Sequence, residues 1–334
     1  MPCARAPAQT VGVARYLVRR VLWAVMLFFA VTIVAYILFF IIPADPARQF
    51  AGKGATPETV AKARHYLGLD RPIYIQYGHF VGRLVLHGDL GHSWYNRESV
   101  NQIVADAAPV TASLVIGGAV FWLLLSVPIG VLAAVRRGSL FDRGATSFVL
   151  IGISAHPVWI GLIFAYLFGY RWHLTPITGY ADVFNPPPGQ PGGPVQWAYH
   201  MLLPWLTFMI LYTALYVRMI RANVIETMSE DYVRTARAKG ASESAVMRRH
   251  VLRNVMLPVV TILGMDIGLA LGGAIFTETV YSLPGLGRTS VQALANYDVP
   301  TVLGVIVFAT VVIIVFNLVV DILYAWIDPR IRLT

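Results

Sequence analysis

The chain has few charged residues and almost no cysteine. Of its 334 residues, 13% are charged, whereas a water-soluble domain of this size carries about a quarter. Cys3 is the single cysteine, so a disulfide within the chain is excluded. Acidic residues are scarce too, with 17 Asp and Glu against 26 Lys and Arg. Together with a hydrophobic content of 57%, these shortages exclude an ordinary water-soluble domain and indicate a membrane protein.

The sequence also lacks the signature motifs of several enzyme classes. It contains no Gly-x4-Gly-Lys-Ser/Thr phosphate-binding loop, so we expect no ATP hydrolysis by this chain. It has neither the His-Glu-x-x-His motif of zinc proteases nor the Gly-x-Ser-x-Gly motif of serine hydrolases. Ser154 and His156 do not indicate an intramembrane protease, because residues two apart on a helix point away from each other. We therefore expect no catalytic residues and no metal site.

Six apolar runs are long enough to cross a bilayer, which takes about 20 helical residues. The first run is too long for the apolar core of a signal peptide and is not followed promptly by a cleavage site, so we expect a retained helix. The chain is therefore predicted to be an all-α polytopic membrane protein with six transmembrane helices. The predicted spans are approximately residues 21–42, 110–135, 145–170, 201–217, 257–276 and 301–327.

The distribution of positive charge predicts the orientation of these spans. Cytoplasmic segments of membrane proteins carry an excess of Lys and Arg. If the N-terminus is cytoplasmic, the inside segments 1–20, 136–144, 218–257 and 328–334 hold 17 of the 26 Lys and Arg. Both termini are therefore predicted to be cytoplasmic. The net charge of +9 lies where anionic lipid and cytoplasmic proteins meet the chain, and it requires no nucleic acid.

The segment between the first two spans has a helical pattern of its own. Thr56-Pro57-Glu58 begins a helix with a capping hydroxyl and an early proline, and that helix ends near Gly68. A second helix is predicted over residues 73–86. We expect an extracytoplasmic helical subdomain, followed by a five-helix core. The predicted organisation is residues 1–42 for the N-terminus and first span, 43–108 for the subdomain, 109–327 for the core and 328–334 for a cytoplasmic tail.

Segment 218–257 is the most informative part of the chain, because a simple turn between spans needs only a few polar residues. Tyr232 to Lys239 is predicted to be a short helix that Gly240 ends by adopting positive φ. Ser242 is predicted to cap a second, basic helix. This much ordered, charged protein between two spans indicates a docking surface for a soluble partner.

One flank of the short helix is formed by small residues. Ala236 and Gly240 lie four apart, so we expect the backbone of a partner protein to approach closely there. The alternative is a polybasic loop lying on anionic lipid. Four acidic residues in the segment disfavour that alternative, because lipid-binding clusters rarely carry so many acids. They are Glu226, Glu230, Asp231 and Glu243.

The run Asp231-Tyr-Val-Arg-Thr-Ala-Arg-Ala-Lys-Gly240 closely resembles the coupling loop of ABC-importer permeases of the dipeptide/oligopeptide/nickel family. The generic Glu-Ala-Ala motif of such permeases is replaced here by Arg234, Thr235 and Ala236, a departure that is normal in the peptide subgroup. The resemblance covers nearly the whole chain. Further matching motifs are Gly88-Asp-Leu-Gly-His-Ser93, Pro109-Val-Thr-Ala-Ser-Leu114, His250-Val-Leu-Arg-Asn254, Gly272-Gly-Ala-Ile-Phe-Thr-Glu278, Pro284-Gly-Leu-Gly287 and Asp321-Ile-Leu-Tyr-Ala-Trp-Ile-Asp-Pro-Arg-Ile-Arg-Leu333.

This resemblance implies the type I ABC importer transmembrane fold and a multi-pass location in the inner membrane of a bacterial or archaeal cell. It implies a homologous second permease subunit, two cytoplasmic ABC ATPase subunits that hold the ATP and Mg, an extracytoplasmic solute-binding protein and a di- or oligopeptide substrate. No cofactor is expected on this chain. The residues that it implies for ATPase coupling are Asp231, Tyr232, Arg234, Thr235, Ala236, Arg237, Ala238, Lys239, Gly240 and Ser242.

Candidates for the translocation pathway or for helix packing lie in the fifth span and just after it. Asp266 is a carboxylate within a span, where a charge is costly unless it faces protein or water. An ion-coupled secondary transporter using Asp266 is therefore the alternative function, although it leaves segment 218–257 unexplained. The other candidates are Gly264, Gly268, Gly272 and Glu278.

Two further polar residues within spans are assigned structural roles. Asp321 lies near the inner end of the sixth span and is predicted to be a hydrogen-bond partner within the protein. His156-Pro157 is predicted to kink the third span, with the histidine satisfied inside the helix bundle.

Overall fold

The computed structural model describes residues 8–41, 46–52, 54–66, 68–184, 186 and 192–327. These ranges are helical and contain no β-strand; His92 and Ser99 form one isolated antiparallel bridge. The helices that these ranges contain are α1 (Ala8–Ile41), α2 (Pro46–Ala51), α3 (Pro57–Tyr66), α4 (Ile73–His87), α5 (Val100–Val135), α6 (Leu140–Ser154), α7 (Pro157–Phe164), α8 (Pro194–Ser229), α9 (Asp231–Ala238), α10 (Glu243–Val246), α11 (Leu252–Tyr281), α12 (Leu286–Ala295) and α13 (Val299–Ile327). Short π-helical turns, Ala165–Arg171 and Met247–Val251, continue α7 and join α10 to α11.

Within the described residues, five helical stretches are long and apolar enough to cross a membrane. The predicted third span corresponds to α6 together with α7 and its π-helical continuation, a pair that is bent by 104° and gives a sixth span when it is counted as one. The helices run well beyond the apolar stretches of the sequence. The fourth span is 36 residues long, and Pro258, at the edge of the predicted fifth span, lies inside α11.

The bend in the third span lies where the kink was predicted. Ala155 and His156 are extended, and Pro157 begins α7, where its missing N–H costs nothing. The Val158 N–H donates to His156 Nδ1 at 3.3 Å, so the histidine caps the new helix. The prediction that His156 is buried inside the bundle was wrong: its side chain is exposed, with its ring 5.0 Å from the ring of Phe276. The local cap satisfies the imidazole without burial.

The described chain divides into two compact units. The first comprises the described part of residues 1–108 together with Thr289–Leu318. Its helices α3 and α4 confirm that the segment after the first span contains two helices, as predicted. Thr56 Oγ1 accepts from the Thr59 N–H at 3.3 Å at the start of α3. Gly88 ends α4 with φ 61°. Its core consists of Ala35, Tyr36, Phe80, Val299, Leu303 and Val307.

The second unit comprises Pro109–Arg288 and Val319–Ile327. Its core is rich in large side chains, and Trp122 and Tyr216 are fully buried there. Small residues let its helices approach closely: a Cβ placed on Gly152 in α6 would lie 2.8 Å from the Cβ of Ala214 in α8. Such close packing is typical of helices within a membrane. The second unit carries the segment with the predicted coupling residues.

Candidate functional site

The predicted short helix between the fourth and fifth spans is α9, and its end has the predicted geometry. Gly240 has φ 82°, its N–H donates to the Arg237 carbonyl at 2.9 Å, and the Ala241 N–H donates to the Ala236 carbonyl at 3.2 Å. These two bonds form a Schellman motif, in which a residue with positive φ closes a helix. The Ala245 N–H donates to Ser242 Oγ at 3.4 Å, so Ser242 caps α10 as predicted. We call residues 231–246 the coupling segment.

One face of α9 is fixed in the core of its own unit. Val233 is fully buried and Ala236 is 9% exposed, and both belong to the apolar cluster that includes Val246 and Val251. The predicted bare flank was therefore wrong at Ala236, because that residue packs against this chain. Gly240 is exposed. Sequence reasoning missed Val233, although its spacing of three from Ala236 is the spacing of an apolar helix face.

The opposite face of α9 is polar and carries both signs of charge. The side chains of Asp231 and Arg234 are 96% and 70% exposed, and Thr235 and Lys239 are exposed as well. Thr235 Oγ1 donates to the Asp231 carbonyl at 2.8 Å, which holds it along the helix. A surface with mixed charges suits a protein partner better than anionic lipid, which attracts uniformly basic segments.

Two side-chain contacts join α9 to the next two helices, one to α10 and one to α11. Arg237 Nε and Nη2 donate to the two carboxylate oxygens of Glu243 at 2.8 and 3.2 Å, a paired geometry that fixes direction as well as distance. Asn254 Nδ2 donates to the Tyr232 hydroxyl at 2.6 Å. Sequence reasoning gave Asn254 no such role. The coupling segment is thus bonded directly to α11, which continues from it into the membrane.

The candidates in the fifth span lie in different environments. Asp266 is partly buried, and the Tyr216 hydroxyl donates to its Oδ2 at 2.8 Å. Gly264 and Gly268 are buried, as expected for close helix packing. The surroundings of Gly272 and of Asp321 lie outside the side chains that the structure describes. A pathway role for Asp266 remains a prediction.

Glu278 is fully buried and anchors the loop that follows α11. Thr111 Oγ1 donates to Glu278 Oε1 at 2.6 Å, and the Arg288 N–H donates to Oε2 at 3.0 Å. The Leu286 N–H donates to Thr111 Oγ1 at 2.8 Å, which completes the network. A Cβ on Gly285 would overlap the Glu278 carboxylate, so only glycine allows this approach. Of the two predicted roles, these contacts favour packing over the pathway.

Asp298 anchors a second loop, in the first unit, that sequence reasoning missed. The Trp94 N–H donates to Asp298 Oδ1 at 2.7 Å, while Ser93 Oγ and Thr301 Oγ1 donate to Oδ2 at 2.5 and 2.6 Å. Asp298 is buried. Its side chain therefore fixes the turn after Gly88-Asp-Leu-Gly-His-Ser93 to the start of α13.

These features define a class of protein. Five or six candidate spans and a helical segment fixed between two of them describe a polytopic α-helical membrane protein. Among the described residues, no group of three or more His, Cys, Asp or Glu side chains is placed to hold a metal ion.

Comparison with known proteins identifies the family. The family described as "Binding-protein-dependent transport system inner membrane component" matches residues 126–333, and its N-terminal companion matches residues 13–115. The chain belongs to this family: it is a multi-pass inner-membrane permease subunit of an ABC importer of the peptide family, and it is not itself the ATPase.

Several relatives align over nearly their whole length. The dipeptide transport system permease protein DppB of Escherichia coli (strain K12) is 38% identical over 335 residues, covering 95% of this chain and 98% of that protein. A putative peptide transport system permease protein of Brucella abortus (strain 2308) is 36% identical, with the same coverage. A crystal structure of an amino acid ABC transporter with histidines aligns at TM-score 0.46 and 14% identity, covering 69% of this chain and 95% of that one. The family assignment comes from the sequence matches.

Proposed function

We propose that this chain is one of two permease subunits in an ATP-driven importer of di- or oligopeptides. Its partners are a homologous permease, two cytoplasmic ATPase subunits that hold the ATP and Mg, and an extracytoplasmic solute-binding protein. The family description supports the dependence on a binding protein, and the names of the relatives support a peptide cargo. The bilayer surrounds the spans, and no nucleic acid takes part.

The observation that carries the proposal is the rigid attachment of α9. Its apolar face is buried in the core, its polar face is exposed, and Tyr232 and Arg237 bond to the chain that leads into α11. A flexible loop would not transmit a displacement that a soluble partner imposes, whereas a short helix fixed on one face transmits it. The exposed polar face then contacts the ATPase.

The mechanism follows from the stiffness of helices. ATP-driven closure of the two ATPase subunits displaces the coupling segment. The displacement passes through the contacts of Tyr232 with Asn254 and of Arg237 with Glu243 to α11. Movement of α11 and its neighbours switches access to a central pathway from one side of the membrane to the other. Peptide selection lies mainly with the external binding protein.

Replacement of Gly240 by valine tests this coupling. A β-branched residue cannot adopt φ 82° without strain, so the Schellman motif and the orientation of α9 should be lost. We expect the assembled importer to lose ATP-driven peptide uptake while the chain still inserts into the membrane. Gly138→Val is the matched control, because Gly138 has φ 81° and, as at Gly240, a Cβ placed there would meet no atom within 4 Å. Normal uptake by Gly240→Val would contradict the proposal.

A further inference from the structure

The first unit contains an open cavity of about 920 Å³ that no part of the proposed function uses. Its walls come from the C-terminal part of α1, α2, the end of α3 and the connection to α4, α4 itself, the turn of residues 90–97 and the start of α13. Small-molecule sites typically have volumes of roughly 300–1,000 Å³. The cavity is therefore large enough for a solute of a few residues.

The charged groups around the cavity are mostly positive. Arg71, Arg83 and Arg97 line it, and Asp70 is the one acidic residue among the residues that line it. His65 Nδ1 lies 2.9 Å from Asp70 Oδ2, and this hydrogen bond lowers the pKa of the Asp70 carboxyl. Asp70 therefore already has a partner. Arg71 Nη1 lies 3.1 Å from His79 Nε2. Within the described part of the chain, Arg83 and Arg97 have neither a carboxylate nor a hydrogen-bond acceptor at their guanidinium groups.

Part of the cavity lining is apolar and is packed into the core of the first unit. Tyr36 and Phe80 belong to the core of the first unit, with ring centroids 6.0 Å apart, and Leu303 belongs to the same cluster. Trp94 packs against that cluster and also lines the cavity. Exposed arginines and buried aromatic rings in one cavity lining match a ligand with one anionic end and an apolar body.

Arg97 lines the cavity in an unusual conformation. Its φ is 62°, a region that side chains other than glycine seldom occupy. The Arg97 N–H donates to the Ser93 carbonyl at 3.1 Å, and the Ser93 side chain is itself bonded to Asp298. Strained residues that the surrounding structure fixes in this way occur preferentially at binding sites.

We propose that this cavity binds a small organic acid, whose carboxylate pairs with Arg83 and Arg97 and whose apolar group lies on Tyr36, Phe80 and Trp94. Guanidinium groups are the preferred partners of carboxylates, because their planar N–H groups donate to both oxygens. A peptide with a free C-terminus and an apolar last side chain has this chemistry. The choice of a peptide as the acid rests on the proposed function, whereas the site itself rests on the cavity.

A binding measurement on the full chain tests the proposal. The chain is placed in phosphatidylcholine nanodiscs and titrated with the dipeptide Ala-Phe and with its C-terminal amide, Ala-Phe-NH2. We expect Ala-Phe to bind and the amide to bind roughly tenfold more weakly or worse, because a charged hydrogen bond is lost. Arg83→Gln and Arg97→Gln should each weaken Ala-Phe binding by a similar factor. Arg48→Gln removes the same charge at a residue of α2 that does not line the cavity, and it should leave Ala-Phe binding unchanged.

Several results would overturn the proposal. Equal binding of Ala-Phe and its amide to the unmodified chain would exclude recognition of the carboxylate. Loss of Ala-Phe binding in phosphatidylglycerol nanodiscs would assign the cavity to a lipid headgroup. Failure of Ala-Phe to bind a chain whose complete importer still takes it up would overturn this inference and leave the proposed function standing. Ala-Phe binding that persists in a complex without ATP-driven uptake would support this inference and contradict the proposed function.

Discussion

Asn254 Nδ2 donates to the Tyr232 hydroxyl at 2.6 Å, and this bond joins the exposed helix α9 to the helix of the fifth span. The two residues are 22 positions apart. The bond therefore holds the coupling segment against α11. In the proposed mechanism, this bond lies on the route by which a displacement of α9 reaches α11.

Tyr232→Phe is expected to uncouple transport from ATP hydrolysis. The substitution removes the hydroxyl and keeps the ring, so α9 should stay folded. Loss of one hydrogen bond costs about 0.5–1.5 kcal/mol, which corresponds to roughly a twofold to tenfold fall in uptake per ATP hydrolysed. The measurement is peptide uptake and ATPase rate of the same reconstituted importer.

The control for this prediction is Tyr74→Phe, at a residue that is 75% exposed in the first unit and lies outside the cavity lining. That variant should retain the original ratio of uptake to hydrolysis. Adding Asn254→Ala to Tyr232→Phe should cause little further loss of uptake per ATP hydrolysed, because each change removes the same hydrogen bond. Additive losses would show that the two residues act separately, contrary to this account.

Glu278→Gln is expected to destabilise the second unit. An amide replaces one accepting oxygen with an NH2 group, which cannot accept from the Thr111 hydroxyl or the Arg288 N–H. An unsatisfied buried donor costs about 1–3 kcal/mol. The midpoint of thermal unfolding in detergent should fall for Glu278→Gln, and it should change little for Glu226→Gln at an exposed position. An unchanged midpoint for Glu278→Gln would refute the anchoring role.

Asp298→Ala is expected to release the turn of residues 93–97. The Trp94 N–H loses its carboxylate acceptor, and the hydroxyls of Ser93 and Thr301 lose theirs. Loss of a charged hydrogen bond of about 1.5–3 kcal/mol should speed amide hydrogen exchange at Trp94 by roughly tenfold to a hundredfold. The amide of Gly240, in the other unit, should exchange at its original rate. Unchanged exchange at Trp94 would mean that the turn is held by other contacts.

Local signals in the sequence predicted much of the fold. Apolar runs predicted the six spans, Thr56-Pro57 predicted the start of α3, and Gly240 with Ser242 predicted where α9 ends and α10 begins. Each of these signals acts within a few residues, through a cap, a turn or a periodic apolar face. For the same reason the short helix of residues 231–238 could be predicted from the sequence alone, whereas its role in coupling stays a prediction.

Contacts between distant parts of the chain could not be predicted. Glu278 and Thr111 are 167 residues apart, and Asp298 and Ser93 are 205 apart, so neither pair leaves a pattern in a single sequence. The burial of Ala236 and the exposure of His156 were missed for a related reason. Burial depends on which helices pack together, and residue type alone does not determine it.

In the proposed function, this permease moves peptide only when a separate ATPase drives it through the coupling segment. Uphill uptake of a labelled dipeptide can be measured in proteoliposomes that contain either this chain alone or the complete importer with ATP inside. We expect accumulation with the complete importer and none with the chain alone, with or without a proton gradient. Accumulation by the chain alone under a proton gradient would refute ATP-driven coupling and favour an ion-coupled transporter using Asp266.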